Sequence, residues 1–290
     1  MFGGKVKYVP LRMDSKLDPK NNITSSRDWK LDIDELESKM SPKSRLLIIN
    51  TPQNPTGKVF SMEELGKIAE VAKKHNLIVI SDEVYEYLCY DKEKHVSIAK
   101  IPGMWERTIV VGSLGKLFGV TGWRIGWLIG DQSLISACLN FHTYTLFCSP
   151  SPLQEAGAIA FREAGSHDYY ALTREQYLHR RNKLMSAFDA INMPYSIPQG
   201  AYYLLVNAEK LKIPEDYPFP DYILKRSKKK GFKLAYFFTK EIGITAIPAQ
   251  EFYCEAHGEI AENYLRFSFC KTDKVLDMVS QRLKRTIQYM

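Results

Sequence analysis

Four short runs of apolar residues in the first half of the chain constrain its fold more than any other feature. They occupy residues 46–50, 77–81, 108–112 and 123–130, and their hydrophobicity is continuous rather than alternating. Continuous apolar runs of this length are typical of strands that are buried on both faces of a sheet. We therefore expect a central sheet that is covered on both faces.

A helix between the first two runs indicates the direction of this sheet. Ser61 is a good N-cap and Glu64 follows three residues later, which makes a capping box. Phe60 and Leu65 occupy the positions of a hydrophobic staple, and Asn76 can end the helix. Strand, helix and strand within this length form a βαβ unit, whose strands run parallel. The sequence thus predicts an α/β fold with a mostly parallel sheet and flanking helices.

The second half of the chain has a different pattern. From residue 131 to about residue 191 it reads as helices, with a break at residues 149–152. Beyond this region, strand and helix patterns alternate. The predicted strands are 201–206, 244–247 and 263–269, and the predicted helices are 222–242 and 274–289.

These patterns predict a division into domains. Residues 1–165 would form a large domain, residues 166–191 a connecting helix, and residues 192–290 a small C-terminal α+β domain. Residues 4–11 already resemble a sheet strand. A chain that opens inside its sheet is expected to lack the N-terminal part of the large domain.

Composition excludes several classes of protein. The five cysteines are scattered without a CxxC pair, and the six histidines form no HxxxH or HExxH pair, so we expect neither disulfides nor a metal site. Such cysteine usage favours a reducing compartment, and we expect a cytoplasmic protein, or a mitochondrial one if an upstream transit segment is missing. The absence of any run of eighteen apolar residues argues against a membrane span.

The net charge of +7 includes one conspicuous basic run at residues 225–230. This run could be a nucleic-acid or nuclear-targeting patch. Because no nucleic-acid-binding motif accompanies it, we interpret it as a solvated helix face and expect no nucleic-acid partner.

Polar side chains follow the predicted strands at their carboxyl ends. In open α/β sheets, ligands bind beyond these ends, so the side chains are expected to meet in one crevice. Each motif alone would also fit a turn or the start of a helix. A Walker phosphate loop is excluded, since only two residues separate Gly112 from the Gly115-Lys116 pair where four are required. The candidate residues are Asn54, Asp82, Tyr85, Ser113, Lys116 and Arg124.

Taken together, these segments resemble a known family. The stretches NTPQNPTGKVF, SDEVYEYL, GSLGKLFGVTGWRIGW and NYLRFSFCK are similar to the signature blocks of fold-type I, class I and II, pyridoxal-phosphate aminotransferases. More narrowly, they resemble the group of kynurenine aminotransferases and cysteine-conjugate β-lyases, and its fungal members most of all. The blocks follow the family's order along the whole chain, and the lysine block combined with the Asp-x-x-Tyr block is highly specific.

The resemblance assigns roles around the cofactor, pyridoxal 5′-phosphate. Lys116 would hold it as a Schiff base and later move the substrate proton. Asp82 would pair with the pyridine nitrogen and keep the ring protonated, so that the ring can act as an electron sink. Tyr85 and Asn54 would hydrogen-bond the ring oxygen O3′.

The same resemblance assigns the anionic groups. Ser113 and Arg124 would bind the phosphate. Arg266, in the last predicted strand, would take the substrate α-carboxylate with help from Asn54, although an arginine in such a strand is, on its own, more often a surface residue. A cis peptide between Asn54 and Pro55 would aim the asparagine side chain.

The implied function is transfer of the amino group of an aromatic or large neutral amino acid, kynurenine included, to a 2-oxo acid. Two alternatives stay open: β-elimination from cysteine conjugates, and a shortened, non-catalytic relative, because the family's phosphate-cradling loop would lie upstream of Met1. The resemblance also implies a homodimer, with residues 141–151 facing the neighbouring site.

Overall fold

The computed structural model describes residues 3–226 and 230–290, and these described residues form eleven strands and nine α-helices. The strands are β1 (Leu11–Met13), β2 (Thr24–Ser25), β3 (Trp29–Leu31), β4 (Leu46–Asn50), β5 (Ile78–Asp82), β6 (Thr108–Ser113), β7 (Gly126–Gly130), β8 (Tyr195–Ile197), β9 (Tyr203–Asn207), β10 (Ile247–Pro248) and β11 (Tyr264–Ser268). The α-helices are α1 (Ile33–Ser38), α2 (Met62–Lys74), α3 (Leu114–Leu117), α4 (Gln132–Thr145), α5 (Ser151–Ala164), α6 (Tyr169–Asp189), α7 (Asp221–Leu224), α8 (Lys230–Phe237) and α9 (Asp273–Leu283).

The chain divides into two compact units. The first, which we name the lysine unit, comprises Ile33–Gln53 and Val59–Glu175. The second, which we name the arginine unit, comprises Met1–Asp32, Asn54–Lys58 and Gln176–Met290. These bounds differ from those of the predicted segments 1–165, 166–191 and 192–290, which stay a prediction.

The sheet of the lysine unit has the order β4-β5-β6-β7. β4, β5 and β6 are parallel, and β7 runs antiparallel to β6. The helix between β4 and β5 makes this a βαβ arrangement. The predicted α/β class with a mostly parallel sheet is therefore confirmed.

One expectation about this sheet is wrong: it is not buried on both faces within the described residues. Val79 and Ser81 on one face of β5 are completely buried. On the opposite face, Leu46 and Ile48 of β4 are 49% and 64% exposed, and Leu128 of β7 is 43% exposed. A continuous apolar run shows that both faces carry apolar side chains, but it does not show what covers the second face.

The helix between β4 and β5 begins and ends as its sequence indicates. Ser61 accepts a hydrogen bond from the Glu64 amide, and Glu64 accepts one from the Ser61 amide, which completes the capping box. The staple residues Phe60 and Leu65 are buried. Asn76 has φ +47°, and the amides after the helix turn back onto carbonyls of its last turn, which is a Schellman ending.

The arginine unit contains a five-stranded sheet of order β10-β11-β9-β8-β2, in which only the β2-β8 pair is parallel among the described strands. Every residue of β9 is buried. A core cluster of Trp29, Leu205, Ala249, Ala261 and Tyr264 packs against this sheet. The mixture of strands and helices confirms the α+β character predicted for the C-terminal part.

Three details of the arginine unit bear on the sequence predictions. Residues 4–10 are largely exposed and form no strand, since they pair with no other strand of the described chain. The predicted strand 244–247 is reduced to β10. The basic run 225–230 can be described only in part, since Ser227, Lys228 and Lys229 lie outside the described residues.

Candidate active site

The carboxyl edge of the sheet in the lysine unit carries three candidate residues that lie together. Asp82 is the last residue of β5, and Ser113 is the last residue of the adjacent β6. Lys116 lies on α3, the single turn of helix that begins directly after β6. The parallel pairing of β5 and β6 brings these chain ends to the same edge, as the sequence predicts.

Hydrogen bonds fix both the backbone and the carboxylate of Asp82. Its backbone carbonyl accepts hydrogen bonds from the Asn50 side chain (2.9 Å) and the Thr51 amide (3.0 Å), and its carboxylate accepts one from the Val84 amide (3.3 Å). Burial raises the pKa of the Asp82 carboxyl above its ordinary value of 3.8; the Val84 hydrogen bond and the Lys116 charge act in the opposite direction. The carboxylate and the amine are therefore close enough to interact through their charges.

The helical turn that carries Lys116 is fixed by close packing. A Cβ at Gly115 would lie 2.7 Å from the Cα of Thr121, so only glycine fits. The Thr121 hydroxyl donates to the Gly115 carbonyl at 3.0 Å, and the Tyr169 hydroxyl donates to the Leu117 carbonyl at 3.2 Å. These contacts hold the backbone on both sides of Lys116, whose own side chain is half-buried.

Tyr85 lies close to the lysine. Its side chain is only 3% exposed, and it lines with Lys116 a cavity of about 10 Å³. A cavity of this size holds about one water molecule and is too small for a cofactor. The cavity therefore indicates the proximity of Tyr85 to Lys116 and not the place of a ligand. Its other lining residues are Val84, Tyr87, Leu88, Leu117, Tyr169, Tyr170 and Thr173.

Arg124 differs from these residues in being exposed. It follows the 3-10 turn Thr121–Trp123 with φ +58°, an uncommon conformation for a residue with a side chain. One of its guanidinium nitrogens donates to the Thr121 carbonyl at 3.2 Å. Arg124 thus presents a fixed positive charge on the segment that also packs against Gly115.

In the arginine unit, the structure pairs the two remaining candidates. The Arg266 guanidinium donates to the Asn54 side-chain oxygen at 2.8 Å, across 212 positions of the chain. The guanidinium carbon also lies 4.2 Å from the centroid of the Tyr203 ring and 4.9 Å from that of the Phe252 ring. Two rings and one amide therefore orient the guanidinium. The Asn54-Pro55 bond is cis, as expected, and so is the Thr51-Pro52 bond, which was not predicted.

Arg266 also borders a cavity of about 370 Å³ within the same unit. A volume of this order matches that of small-molecule sites. Its wall combines apolar side chains such as Ile247 and Met278 with the cations Lys271 and Arg282. The arginine unit therefore offers an anion-binding group beside space for an apolar side chain.

A profile that describes class I and II aminotransferases matches residues 14–283. The chain belongs to this family. It is similar to aminotransferases along nearly its whole length, and the signature blocks read from the sequence lie inside the matched region.

Individual relatives of this aminotransferase chain agree with the family. A Saccharomyces cerevisiae protein named "Probable kynurenine–oxoglutarate transaminase" is 42% identical over 292 residues, which are 100% of this chain and 65% of that protein. The kynurenine–oxoglutarate transaminase of Dictyostelium discoideum is 39% identical, over 98% of this chain and 66% of its own length. The crystal structure of Bna3p from S. cerevisiae superposes with a TM-score of 0.94 and 42% identity, covering 99% of this chain and 67% of that one. The present aminotransferase chain thus spans about two thirds of the length of these relatives.

The side chains of the lysine unit fit the cofactor that the family implies. Pyridoxal phosphate presents an aldehyde, a ring nitrogen, a phenolic oxygen and a phosphate. The lysine unit offers an amine in Lys116, a carboxylate in Asp82, a phenol in Tyr85 and a guanidinium in Arg124. The half-buried Asp82 beside Lys116 is the decisive observation, because a carboxylate held in a partly apolar place pairs well with a protonated ring nitrogen.

Sequence reasoning missed the residues that support these candidates. The rings of Tyr203 and Phe252 flank Arg266, and Glu83 forms a buried hydrogen-bond cluster directly after Asp82. An aromatic residue in a strand is most often core, so Tyr203 carried no distinguishing signal. Glu83 did carry a distinguishing signal. It is a second carboxylate directly after a predicted buried strand, and a buried carboxylate needs hydrogen-bond partners.

Proposed function

We propose that this protein transfers the amino group of an aromatic or large neutral amino acid, such as kynurenine, to a 2-oxo acid, with pyridoxal 5′-phosphate bound at Lys116. The observation that carries the proposal is the convergence of Asp82 and Lys116 at the edge of one sheet, with their charges within interaction range. Family membership and the names of the relatives support the reaction class. The β-lyase alternative gains no comparable support.

The side chains of the lysine unit have distinct tasks in this proposal. Lys116 Nζ would be the group that holds the cofactor aldehyde, and its free amine would be the base that takes the proton from the substrate Cα. Asp82 would accept a hydrogen bond from the protonated ring nitrogen. Tyr85 would donate its hydroxyl to the ring oxygen. When bound, the cofactor supplies an electron sink for the carbanion at the substrate Cα.

Arg124 and Ser113 are proposed to bind the phosphate. The guanidinium of Arg124 carries a permanent charge and a planar fork of donors, which suits phosphate oxygens. Ser113 is three residues before Lys116, and both flank the strand-to-helix junction at the end of β6. This position allows one short segment to bind the phosphate and the aldehyde.

Arg266 is proposed to bind the substrate α-carboxylate. Its guanidinium is already oriented by Asn54 and by the rings of Tyr203 and Phe252. A fork that is fixed before the ligand arrives loses less conformational entropy on binding. The adjacent cavity of about 370 Å³ has room for an aromatic side chain.

We also propose that the protein forms a homodimer through α4 and the residues that follow it. Leu139, Phe141, Tyr144, Leu146 and Phe147 are each more than half exposed. A dense group of exposed large apolar residues is typical of an interaction surface. Light scattering should give the mass of a dimer, and Phe147→Glu should give that of a monomer; a wild-type monomer with full activity would contradict this proposal.

The proposed activity is tested by incubating the purified protein with kynurenine, 2-oxoglutarate and pyridoxal phosphate. Glutamate should accumulate with the wild type and not with Lys116→Ala. A matched control is Lys100→Ala, which removes an exposed lysine from the same unit. Equal glutamate formation by wild type and Lys116→Ala would refute the proposal.

A further inference from the structure

Directly after Asp82, the lysine unit buries a second carboxylate that none of the roles above uses. The Glu83 side chain is 3% exposed. Transfer of an ionised carboxylate out of water is very unfavourable unless hydrogen bonds and charges compensate it. The partners of the Glu83 carboxylate therefore show which parts of the chain it holds together.

Glu83 receives three short hydrogen bonds from three different parts of the chain. One carboxylate oxygen accepts from the hydroxyls of Ser81 (2.8 Å) and Ser97 (2.7 Å), and the other lies 2.7 Å from Nε2 of His95. Donor distances of this length are typical of hydrogen bonds to an ionised acceptor. We call these four residues the Glu83 network.

The network ties the end of β5 to the loop that follows it. Ser81 belongs to β5, His95 lies in the loop that follows, and Ser97 is the N-cap of the 3-10 turn Ile98–Lys100. The Glu83 amide also donates to the carbonyl of Val111 in β6, at 3.0 Å. Glu83 is thus fixed by its side chain and by its backbone.

His95 has little freedom to rearrange. Its side chain is 8% exposed, and Nδ1 is buried with no hydrogen-bond partner among the described residues. If Nε2 stopped donating to Glu83, the proton would have to move to a nitrogen that has no acceptor. The orientation in which Nε2 donates to Glu83 is therefore strongly preferred.

The cluster also has the residue types of a metal site, since ligand atoms of Glu83, Glu86 and His95 lie within 4.8 Å of one another. Both oxygens of Glu83 and Nε2 of His95 are already engaged in hydrogen bonds with each other and with the two serines. A cation would have to displace these hydrogen bonds. The geometry favours a structural network.

We propose that Glu83 and His95 are positioning residues that fix the segment bearing Asp82 and Tyr85. Asp82 precedes Glu83 and Tyr85 follows it by two residues, so a displacement of Glu83 moves both side chains. This inference rests on the proposed function, since it concerns the residues assigned to the cofactor ring. The network keeps the carboxylate of Asp82 and the hydroxyl of Tyr85 in place before the cofactor binds.

The inference is tested first on the protein without cofactor, by amide hydrogen exchange of the segment 82–88. Glu83→Gln keeps the size of the side chain but removes its charge and replaces one acceptor oxygen by an NH2 group. The two carboxylate oxygens that serve His95 and the serines are then reduced to one neutral acceptor. Exchange in this segment should become about tenfold faster or more, the factor expected when a hydrogen bond to a charged group is lost. The matched control is Glu37→Gln in the same unit, where Glu37 lies 3.2 Å from Nε2 of His75 at a more exposed position; exchange at 82–88 should stay unchanged.

The second readout is the bound cofactor. In Glu83→Gln, pyridoxal phosphate should bind about tenfold more weakly or worse, and the pH midpoint of its absorbance should move, which a purely structural role far from the ring would not cause. If Glu83→Gln does not fold, Ser97→Ala, which removes one hydroxyl donor, should show both effects to a smaller extent. A folded Glu83→Gln protein with wild-type exchange at 82–88 would overturn the inference. If the wild type binds no pyridoxal phosphate, the proposed function fails, and the exchange experiment still decides whether Glu83 holds this segment.

Discussion

The two units hold their candidate residues in different ways. In the lysine unit, Asp82 and Ser113 are the last residues of two adjacent parallel strands, and Lys116 lies on the helical turn that follows the second, so local chain order places them. In the arginine unit, Arg266 lies in the middle of β11 and is oriented by Asn54, 212 positions away, and by two rings. One site is built by topology and the other by long-range packing, and the two should respond differently to substitution.

The largest expected effect concerns the carboxylate of the lysine unit. Asp82→Asn should lower the rate of transamination by about 10²–10³-fold, the usual cost of removing one group that stabilises charge in a reaction. The fold should survive, because the amide removes a charge that burial disfavours. Steady-state kinetics with kynurenine test this, with Asp131→Asn, at a helix N-cap of the same unit, as the control. A loss of less than about tenfold would remove Asp82 from its assigned role.

A smaller effect is expected in the arginine unit. Arg266→Lys keeps the charge but loses the planar fork and its stacking on Tyr203 and Phe252. KM for the amino acid should rise by about 10–100-fold, as for the loss of a hydrogen bond to a charged group, with a lesser change in kcat. Arg180→Lys is the matched control, since its guanidinium lies 5.7 Å from the Tyr177 ring. An unchanged KM would show that Arg266 does not bind the carboxylate.

The contrast between the units also explains how much the sequence could predict. The parallel strands of the lysine unit, the ends of α2 and the positions of the candidates at the ends of β5 and β6 depend on residues close in sequence. The structure confirms these features of the fold, and the roles of the candidates stay predictions. A shared role for Arg266 and Asn54 at the substrate carboxylate was anticipated only through the family resemblance, because alternation along β11 does not distinguish a binding residue from a surface one. The hydrogen bond between the two side chains was not predicted. The exposed face of β4 was mispredicted, since apolar residues such as Ile48 indicate the need for cover and not its presence.

The capping box of α2 tests the part of the lysine unit that local sequence determines. Ser61→Ala should lower the free energy of unfolding by about 1 kcal/mol, because it removes the acceptor for the Glu64 amide. Chemical denaturation measures this value. Ser166→Ala, at an exposed position outside any N-cap, should leave it nearly unchanged. An equal loss in both variants would mean that the cap does not stabilise this unit.

The smallest expected effect is a pH dependence that comes from Asp82. Burial raises the pKa of its carboxyl above 3.8, so the folded cofactor-free protein keeps this proton over a pH range in which the unfolded chain has lost it. Stability should therefore fall as pH rises through that range. Between about pH 4 and pH 7, the free energy of unfolding of the wild type should fall by less than about 1 kcal/mol relative to that of Asp82→Asn, since the group is only partly buried. If the wild type instead became more stable than Asp82→Asn as the pH rises, burial of the Asp82 carboxyl would not be the cause of the pH dependence.

The central claim is that the ε-amine of Lys116 forms a covalent bond with pyridoxal phosphate. Its most direct test is to reduce the mixture with borohydride, digest the protein and locate the modified lysine by mass spectrometry. One dominant phosphopyridoxyl group is expected, on the peptide that contains Lys116, with none on Lys100. Modification spread over exposed lysines, with Lys116 unmodified, would contradict it.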